Sequence, residues 1–177
     1  MEEVARLPRI CITGAECTGK STLAQRLAEH YETIWVPEFA REYALEIARP
    51  LTVADVDPIA RGQIAGEDIL SVDAHRFVIL DTDLLSTIVY SNYYYSAVPQ
   101  WIVSEAKRRL AHIYLLSDID VPFKIDPARD AEEHRIDHAH AFRRTLEDFG
   151  ARVVVVGGDW EARMRKAIDA IDDYAAL

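Results

Sequence analysis

The chain has 177 residues and a formal net charge of −10, from 20 basic and 30 acidic side chains. This length suits one domain with one packed core, and no apolar run is long enough to span a bilayer. Because polyanion binding needs clustered cations, the acidic balance argues against a nucleic acid partner, and the acidic start without a signal sequence predicts a cytoplasmic protein.

The first predicted elements are a strand, a glycine loop and a helix, in that order. Residues 9–13 form a short apolar stretch, and residues 21–30 carry Leu23 and Leu27 at helical spacing. Between them, residues 14–21 match the phosphate-binding pattern G-x-x-x-x-G-K-[ST]. The sequence therefore predicts a nucleoside triphosphate site formed by Gly14, Ala15, Glu16, Cys17, Thr18, Gly19, Lys20, Ser21 and Thr22.

The residue types of this loop suit a triphosphate bound together with a metal ion. Gly14 and Gly19 let consecutive backbone N–H groups turn towards phosphate oxygens, and the helix N-terminus adds its positive dipole end. Lys20 is a predicted catalytic residue that reaches the β- and γ-phosphates, while the Ser21 hydroxyl is a predicted ligand of Mg²⁺. ATP and Mg²⁺ are therefore the expected cofactors.

A second strand is predicted over residues 33–37, followed by helices over residues 38–48 and 53–74. Glu38 stands where this strand ends, next to the point at which the first strand delivers the phosphates. A carboxylate there can accept the proton of an acceptor hydroxyl or hold a ribose, with Arg41 one helical turn further on. Alternatively, Glu38 only begins a surface helix, where its charge favours the helix dipole.

The third predicted strand, over residues 77–80, ends in two carboxylates. It leads into Asp81-Thr82-Asp83, where residues two apart on an extended chain face the same side. We assign Asp81 to Mg²⁺ or its bound water, and Asp83 to catalysis and binding on the acceptor side. The alternative for Asp83 is a helix N-cap, since two leucines follow it.

A dense group of aromatic side chains follows the third strand. Such rings can stack on a planar base, because aromatic faces attract both π-systems and cations. Tyr94 and Trp101 are the predicted substrate contacts, although packing beneath a lid would explain the group equally well. The group consists of Tyr90, Tyr93, Tyr94, Tyr95 and Trp101.

Residues 118–140 separate two apolar strands predicted over residues 112–116 and 152–156. The segment is rich in charge, and a long polar insertion between strong strands is typical of a lid. Arg129 and Arg135 are expected to act in catalysis by bringing positive charge over the transferring phosphoryl group when the lid closes. The alternative for each arginine is a solvated surface charge.

Three histidines fall in the last part of this segment. His134 and His138 are four residues apart and would share one helix face, with His140 close by. A zinc site needs further ligands, and the sequence defines none here. Solvated lid side chains are therefore the default interpretation.

Five apolar strands alternate with helical segments, the last of which is predicted over residues 160–174. This alternation predicts an α/β fold in which helices cover both faces of a central, mostly parallel five-stranded sheet. We expect one domain over residues 1–177, with ligands outside the carboxyl ends of the strands. The chain contains no N-K-x-D guanine-reading sequence, which argues against a GTPase.

Taken in order, these motifs resemble the ribosylnicotinamide kinase domain of the NadR-type family, in a stand-alone P-loop kinase-like form. The family's loop reads much like G-G-E-S-S-G-K-S, and its Asp-Thr-Asp after an apolar strand is similar to residues 81–83. Its Glu-Tyr-x-Arg motif resembles residues 38–41, and its lid element W-x-x-D-G-x-R resembles residues 123–129. In that lid element, Phe123 and Pro127 replace Trp and Gly.

The resemblance implies a three-layer P-loop kinase fold and transfer of the γ-phosphoryl group of ATP to the 5′-hydroxyl of nicotinamide riboside, which gives nicotinamide mononucleotide. The expected partner is then a small-molecule nucleoside, with neither nucleic acid nor membrane, and a monomer or a homo-oligomer fits equally. Two alternatives stay open. One is a kinase for another nucleoside-like acceptor, and the other is an ATP- or GTP-binding regulatory module without acceptor transfer.

Overall fold

The computed structural model describes residues 7–122 and 134–176, in which five strands alternate with seven α-helices. Short 3₁₀ turns at Val53–Asp55 and Ser71–Asp73 flank the third helix. Within the described ranges, no helix has the length and apolar composition that crossing a membrane requires. The bounds are β1 Arg9–Thr13, α1 Lys20–His30, β2 Trp35–Val36, α2 Phe39–Ile47, α3 Val56–Leu70, β3 Val78–Asp81, α4 Leu84–Tyr95, α5 Gln100–Arg108, β4 Ile113–Ser117, α6 Arg135–Asp148, β5 Val153–Val156 and α7 Trp160–Ala175.

The five strands are parallel and form one sheet in the order β2-β3-β1-β4-β5. β1 is the central strand, with Ile12 opposite Asp81 of β3 and Leu115 of β4. The carboxyl ends of these three strands therefore lie side by side, where ligands of parallel sheets bind. The predicted α/β fold with a five-stranded parallel sheet and flanking helices is confirmed.

Helices cover both faces of the sheet, and successive residues of β1 point to opposite faces. Cys11 belongs to a buried cluster with apolar side chains of α3, α4, α5 and α6. Ile10 and Ile12 belong to a second cluster, with Leu23 of α1 and Ile171 of α7. Burial on both faces explains why the strands read as nearly continuous apolar runs.

Three predicted elements differ from the structure. β2 keeps only Trp35–Val36, because Pro37 has no N–H to continue a ladder. The helix predicted over residues 53–74 is α3 with a 3₁₀ turn at each end. In the last part of the predicted lid, residues 135–140 form the first turns of α6, which packs against α4. Arg129 and the rest of residues 123–133 lie outside the described residues.

Candidate functional site

The loop of residues 14–19 leaves the carboxyl end of β1 and ends at α1, and two of its positions require glycine. Gly14 has φ +128°, and a Cβ there would lie 2.9 Å from the carbonyl oxygen of Ser117. Gly19 has φ +82°, and a Cβ there would lie 2.8 Å from the indole ring of Trp160. Both turns depend on the absence of a side chain, which also lets a phosphate group approach the backbone closely.

Lys20, the first residue of α1, reaches back across this loop. Its ammonium group donates to the carbonyl oxygen of Ala15 at 2.9 Å, and the Thr18 hydroxyl donates to the same oxygen at 2.8 Å. The lysine is only 9% exposed, yet it lines the cleft that runs past the loop. A positive charge is thus held at the point where the loop would meet the end of a triphosphate.

Two buried arginines contact the loop carbonyls. Arg135, at the start of α6, donates to the carbonyl oxygen of Cys17 at 3.0 Å. Arg163 of α7 donates to the carbonyl oxygen of Thr18 at 3.1 Å and forms an ion pair with Asp120. The interpretation of Arg135 as a solvated surface charge is therefore wrong, because the side chain is buried against the phosphate loop. Its contact with the transferring phosphoryl group stays a prediction.

Asp81 ends β3 beside this loop and is 1% exposed. It accepts a hydrogen bond from the Ser21 hydroxyl, while its Oδ1 atom has no hydrogen-bond partner among the described residues. Burial and the nearby Glu38 carboxylate raise the pKa of Asp81 to about 6, and the Ser21 bond and the Lys20 charge act in the opposite direction. A buried carboxylate oxygen without a partner needs a proton or a cation.

This pair of oxygen ligands fits a hard divalent cation. Mg²⁺ typically takes one or two protein oxygens and completes its octahedron with waters and substrate phosphates. Ser21 and Asp81 supply one hydroxyl and one carboxylate next to the phosphate loop. Across the described ranges, no three His, Cys, Asp or Glu side chains form a metal cluster, so a metal here would depend on the phosphates for further ligands.

Asp83 is buried and serves as the N-cap of α4, the alternative that the sequence offered for it. Its Oδ1 accepts from the backbone N–H of Leu85 at 2.9 Å, and its Oδ2 accepts from the Tyr114 hydroxyl at 2.6 Å. Burial raises the pKa of Asp83 to about 6, against the opposing effect of the Tyr114 bond. Since both oxygens already have donors, Asp83 is the weaker of the two candidates for taking an acceptor proton.

Glu38 is the stronger candidate. It immediately precedes α2, but its side chain makes no capping bond to that helix. It is half-buried, lines the cleft beside the exposed Arg41, and is close enough to Asp81 to raise the pKa of that group. The structure therefore brings Glu38, Asp81 and Lys20 to the same edge of the sheet, although they are far apart in sequence.

One cleft of about 1260 Å³ joins the phosphate loop to an apolar wall built from α2, α3, α4 and the segment after α2. This is more volume than the roughly 300–1,000 Å³ of a typical ligand pocket. Tyr94 lines this wall, and its contact with a substrate stays a prediction. The wall consists of Ala44, Leu45, Ala48, Pro50, Leu51, Val56, Ile59, Tyr90, Tyr94 and Tyr95.

Trp101, predicted to contact the substrate, is not among the residues that line this cleft. Its indole N–H donates to Asp57 at 2.8 Å, and the Arg61 guanidinium lies 4.6 Å above its ring. These contacts hold Trp101 between α5 and α3, because its indole N–H bonds Asp57 and its ring face contacts the Arg61 guanidinium, both on α3.

The histidines also differ from expectation. His138 is 1% exposed, and its ring contacts those of Tyr90, Tyr93 and Tyr94, so it is not a solvated lid residue. The hydroxyl of Tyr94 lies 3.2 Å from its Nε2. Within the described ranges these rings make the contact between α4 and α6 and form no metal centre, while His140 is exposed.

Trp160, which begins α7 beside the phosphate loop, was not predicted as a site residue. Its ring is 37% exposed, lines the cleft and lies 4.9 Å from the Arg26 guanidinium on α1. The available signal was positional, because Trp160 follows two glycines at the carboxyl end of the last strand, where ligands bind. An exposed aromatic ring there offers a face to a flat ligand.

The chain is similar in sequence to NadR proteins. The trifunctional NAD biosynthesis/regulator protein NadR of Escherichia coli (strain K12) is 24% identical over 171 residues, which are 92% of this chain and 41% of that protein. The NadR of Salmonella typhimurium is 32% identical over 91 residues, which are 48% of this chain and 22% of that protein. The chain thus spans less than half the length of the curated relatives that it matches.

Among solved structures, a NadR protein in complex with NR has a TM-score of 0.78 at 24% identity, covering 97% of this chain and 50% of that one. Thymidylate kinase from Ehrlichia chaffeensis has a TM-score of 0.65 at 15% identity, covering 94% of this chain and 98% of that one. Both show the same fold. A family model described as an AAA domain matches residues 9–163, most of the chain, and the protein therefore belongs to this AAA domain family.

Proposed function

We propose that this chain is an ATP-dependent kinase that phosphorylates the 5′-hydroxyl of nicotinamide riboside and so produces nicotinamide mononucleotide. The observation that carries the proposal is the single cleft, which has a phosphate loop at one end and a carboxylate with an aromatic wall at the other. The similarity to NadR over 92% of the chain, and the fold shared with a NadR protein in complex with NR, favour this acceptor.

At the phosphate end, the loop amides and Lys20 would bind the triphosphate of ATP. Phosphoryl transfer needs positioning and charge neutralisation more than covalent chemistry. Ser21 and Asp81 would hold Mg²⁺, whose charge would offset that of the phosphate oxygens. Trp160 would stack on the purine ring, since its exposed face lies beside the loop.

At the acceptor end, Glu38 would hold the 5′-hydroxyl and accept its proton, with Arg41 alongside. The nicotinamide ring of the riboside is a flat, positively charged pyridinium. Tyr90, Tyr94 and Tyr95 line the far end of the cleft, and aromatic faces attract cations as well as π-systems. The wall therefore suits a pyridinium better than a polar, uncharged base. The reaction as proposed needs only small-molecule partners.

The test is a coupled assay that follows ATP consumption with a panel of nucleosides, supported by product identification. Nicotinamide riboside should give the highest kcat/KM, and its product should co-elute with nicotinamide mononucleotide. Turnover of deoxythymidine or adenosine without turnover of nicotinamide riboside would contradict the proposed acceptor but support the proposed kinase activity. ATP binding without turnover of any acceptor would favour a regulatory module.

A further inference from the structure

Gln63 is a buried polar residue of α3. It is 4% exposed and lies at the inner wall of the cleft. Its Oε1 accepts from the backbone N–H of Phe39 at 3.1 Å. Its Nε2 donates to the carbonyl oxygen of Thr82 at 3.4 Å and to the Glu67 carboxylate at 3.3 Å. One amide group therefore contacts two separate turns of the cleft.

The partners fix the orientation of this amide. Phe39 offers only a donor, whereas the Thr82 carbonyl and the Glu67 carboxylate offer only acceptors. In a flipped amide, the NH₂ group would face the Phe39 N–H and the oxygen would face the Thr82 and Glu67 oxygens. That arrangement costs more free energy than the hydrogen bonds contribute. Only a side chain with both an acceptor and a donor at its end can serve this position.

Both turns carry the acidic groups of the site. Phe39 is the residue after Glu38, and Thr82 separates Asp81 from Asp83 in a left-handed conformation with φ +65°. The sheet itself does not connect the turns, because the ladder between β2 and β3 pairs only Trp35 with Ile79 and Val36 with Leu80. Beyond the end of this ladder, the Gln63 amide bridges the gap.

The amide is in turn held by a rigid ionic network. Glu67, one helical turn further along α3, is buried and forms ion pairs with Arg9 at 2.6 Å and Arg109 at 3.1 Å. These arginines come from the start of β1 and the end of α5. A buried charge cluster of this kind moves little, because breaking any ion pair would leave an uncompensated charge.

We infer that Gln63 is a positioning residue that fixes the distance between Glu38 and the Asp81-Thr82-Asp83 turn. Gln63 would thereby keep Glu38, which takes the acceptor proton, at a fixed distance from Asp81, which holds the metal beside the phosphates. The inference rests on the proposed kinase activity. A misplacement of about 1 Å at a reacting centre can lower a rate by about 100-fold, so such a tie has a measurable effect.

The kinetic test replaces Gln63 with Met, which keeps the length of the side chain and loses all three hydrogen bonds. We expect kcat with nicotinamide riboside to fall by about 10- to 100-fold while KM for ATP changes by less than about 3-fold, because the phosphate loop is untouched. Gln25→Met on the exposed face of α1 is the matched control and should behave as the wild type. A folded Gln63→Met protein with wild-type kcat would overturn the inference.

Gln63→Glu gives a second, independent readout. A neutral carboxyl group has a donor and an acceptor and can replace the amide, whereas a carboxylate cannot donate to Thr82. The ratio of kcat for Gln63→Glu to kcat for wild type should therefore fall as pH rises from 5 to 9. The same ratio for Gln63→Met should not change with pH. The ionisable groups of the network and the turns (Glu38, Glu67, Asp81, Asp83, Arg9 and Arg109) are present in every protein compared. A flat ratio for Gln63→Glu would contradict the inference.

Hydrogen exchange of the Phe39 amide separates this inference from the proposed activity, because it needs no substrate. Phe39 is the first residue of α2 and has no helical acceptor, so in wild type its N–H should be protected only through Gln63. An unprotected Phe39 amide in wild type would overturn the inference even if the variants fail to fold. Absence of kinase activity with a protected amide would instead refute the proposed function.

Discussion

The two ends of the cleft are built in different ways. The phosphate loop comes from one continuous segment, residues 14–22, whose turn, lysine and helix start are all local. The acceptor end is assembled from α2, α3 and α4, so its residues are neighbours only after folding. A binding surface made by one loop can be recognised from its sequence, whereas one made by helix packing depends on where each helix is placed. Substitutions at the two ends should therefore differ in the size and kind of their effect on activity.

The largest effect is expected at the phosphate end, from Lys20→Ala. Removing one preorganised donor to a developing charge typically costs about 100- to 1,000-fold in rate, and Lys20 supplies a full charge. We expect kcat/KM for ATP to fall by about 1,000-fold, while the melting temperature stays at the wild-type value. Lys107→Ala, on the exposed surface of α5, is the charge-matched control. Retention of more than a tenth of the activity in Lys20→Ala would show that the triphosphate lies elsewhere.

Glu38→Gln should have the next largest effect. Because the transition state of phosphoryl transfer is loose, the acceptor proton leaves late and a base contributes less than the charges on the phosphates. We expect kcat to fall by about 100-fold, with KM for ATP unchanged. The comparison is Asp83→Asn. This variant should have a lower melting temperature than wild type and a kcat close to that of wild type. The reason is that the two oxygens of Asp83 accept hydrogen bonds from the start of α4 and from Tyr114. The reverse pattern would make Asp83 the base.

A smaller effect is expected from Trp160→Ala, which removes the aromatic face beside Gly19. Stacking of a base on an aromatic side chain is worth about 1–3 kcal/mol, so KM for ATP should rise by about 10-fold or more at nearly constant kcat. Trp160→Phe should recover most of the loss. Trp101→Ala serves as the matched control, since Trp101 does not line the cleft, and its KM for both substrates should match wild type. A higher acceptor KM in Trp101→Ala would restore the original assignment of that residue.

The same contrast explains what the sequence could and could not predict. All five strands were predicted, because strands buried on both faces are apolar throughout and end at polar residues such as Asp81. α4, α5 and α6 were not predicted as helices. α4 is lined by buried Leu84, Leu85, Ile88 and Val89, and it also carries three consecutive tyrosines, so its helical periodicity is weak.

Individual side chains of the site were harder to predict than the elements. Asp83 reads equally as a cap or an acceptor contact, and only the Tyr114 hydroxyl from a strand two positions away in the sheet decides how its oxygens are used. Gln63 gave no signal at all, since a glutamine within a helix is ordinarily solvated. Its role depends on Phe39 and Thr82, 24 and 19 residues away along the chain.

The last prediction concerns stability and its pH dependence. The pKa of Asp83 is about 6 in the folded protein, above the ordinary value of 3.8, so ionising this buried carboxyl costs stability as pH rises from about 4 to about 6. The Tyr114 hydroxyl offsets part of that cost by donating to the carboxylate. Tyr114→Phe should therefore lower the free energy of unfolding by about 1.5–3 kcal/mol at pH 8 and by about 0.5–1.5 kcal/mol at pH 5, where Asp83 is mostly neutral.

Thermal or urea unfolding of the metal-free protein at both pH values measures this difference. Tyr43→Phe is the control, because Tyr43 donates to Asp55 at 2.9 Å and the Arg49 guanidinium holds the pKa of Asp55 far below the ordinary range. Asp55 is therefore ionised at pH 5 and at pH 8, and the deficit of Tyr43→Phe should be the same at both. If Tyr114→Phe shows the larger loss, about 1.5–3 kcal/mol, at both pH values, Asp83 carries a full charge throughout and is again a candidate for the proton acceptor.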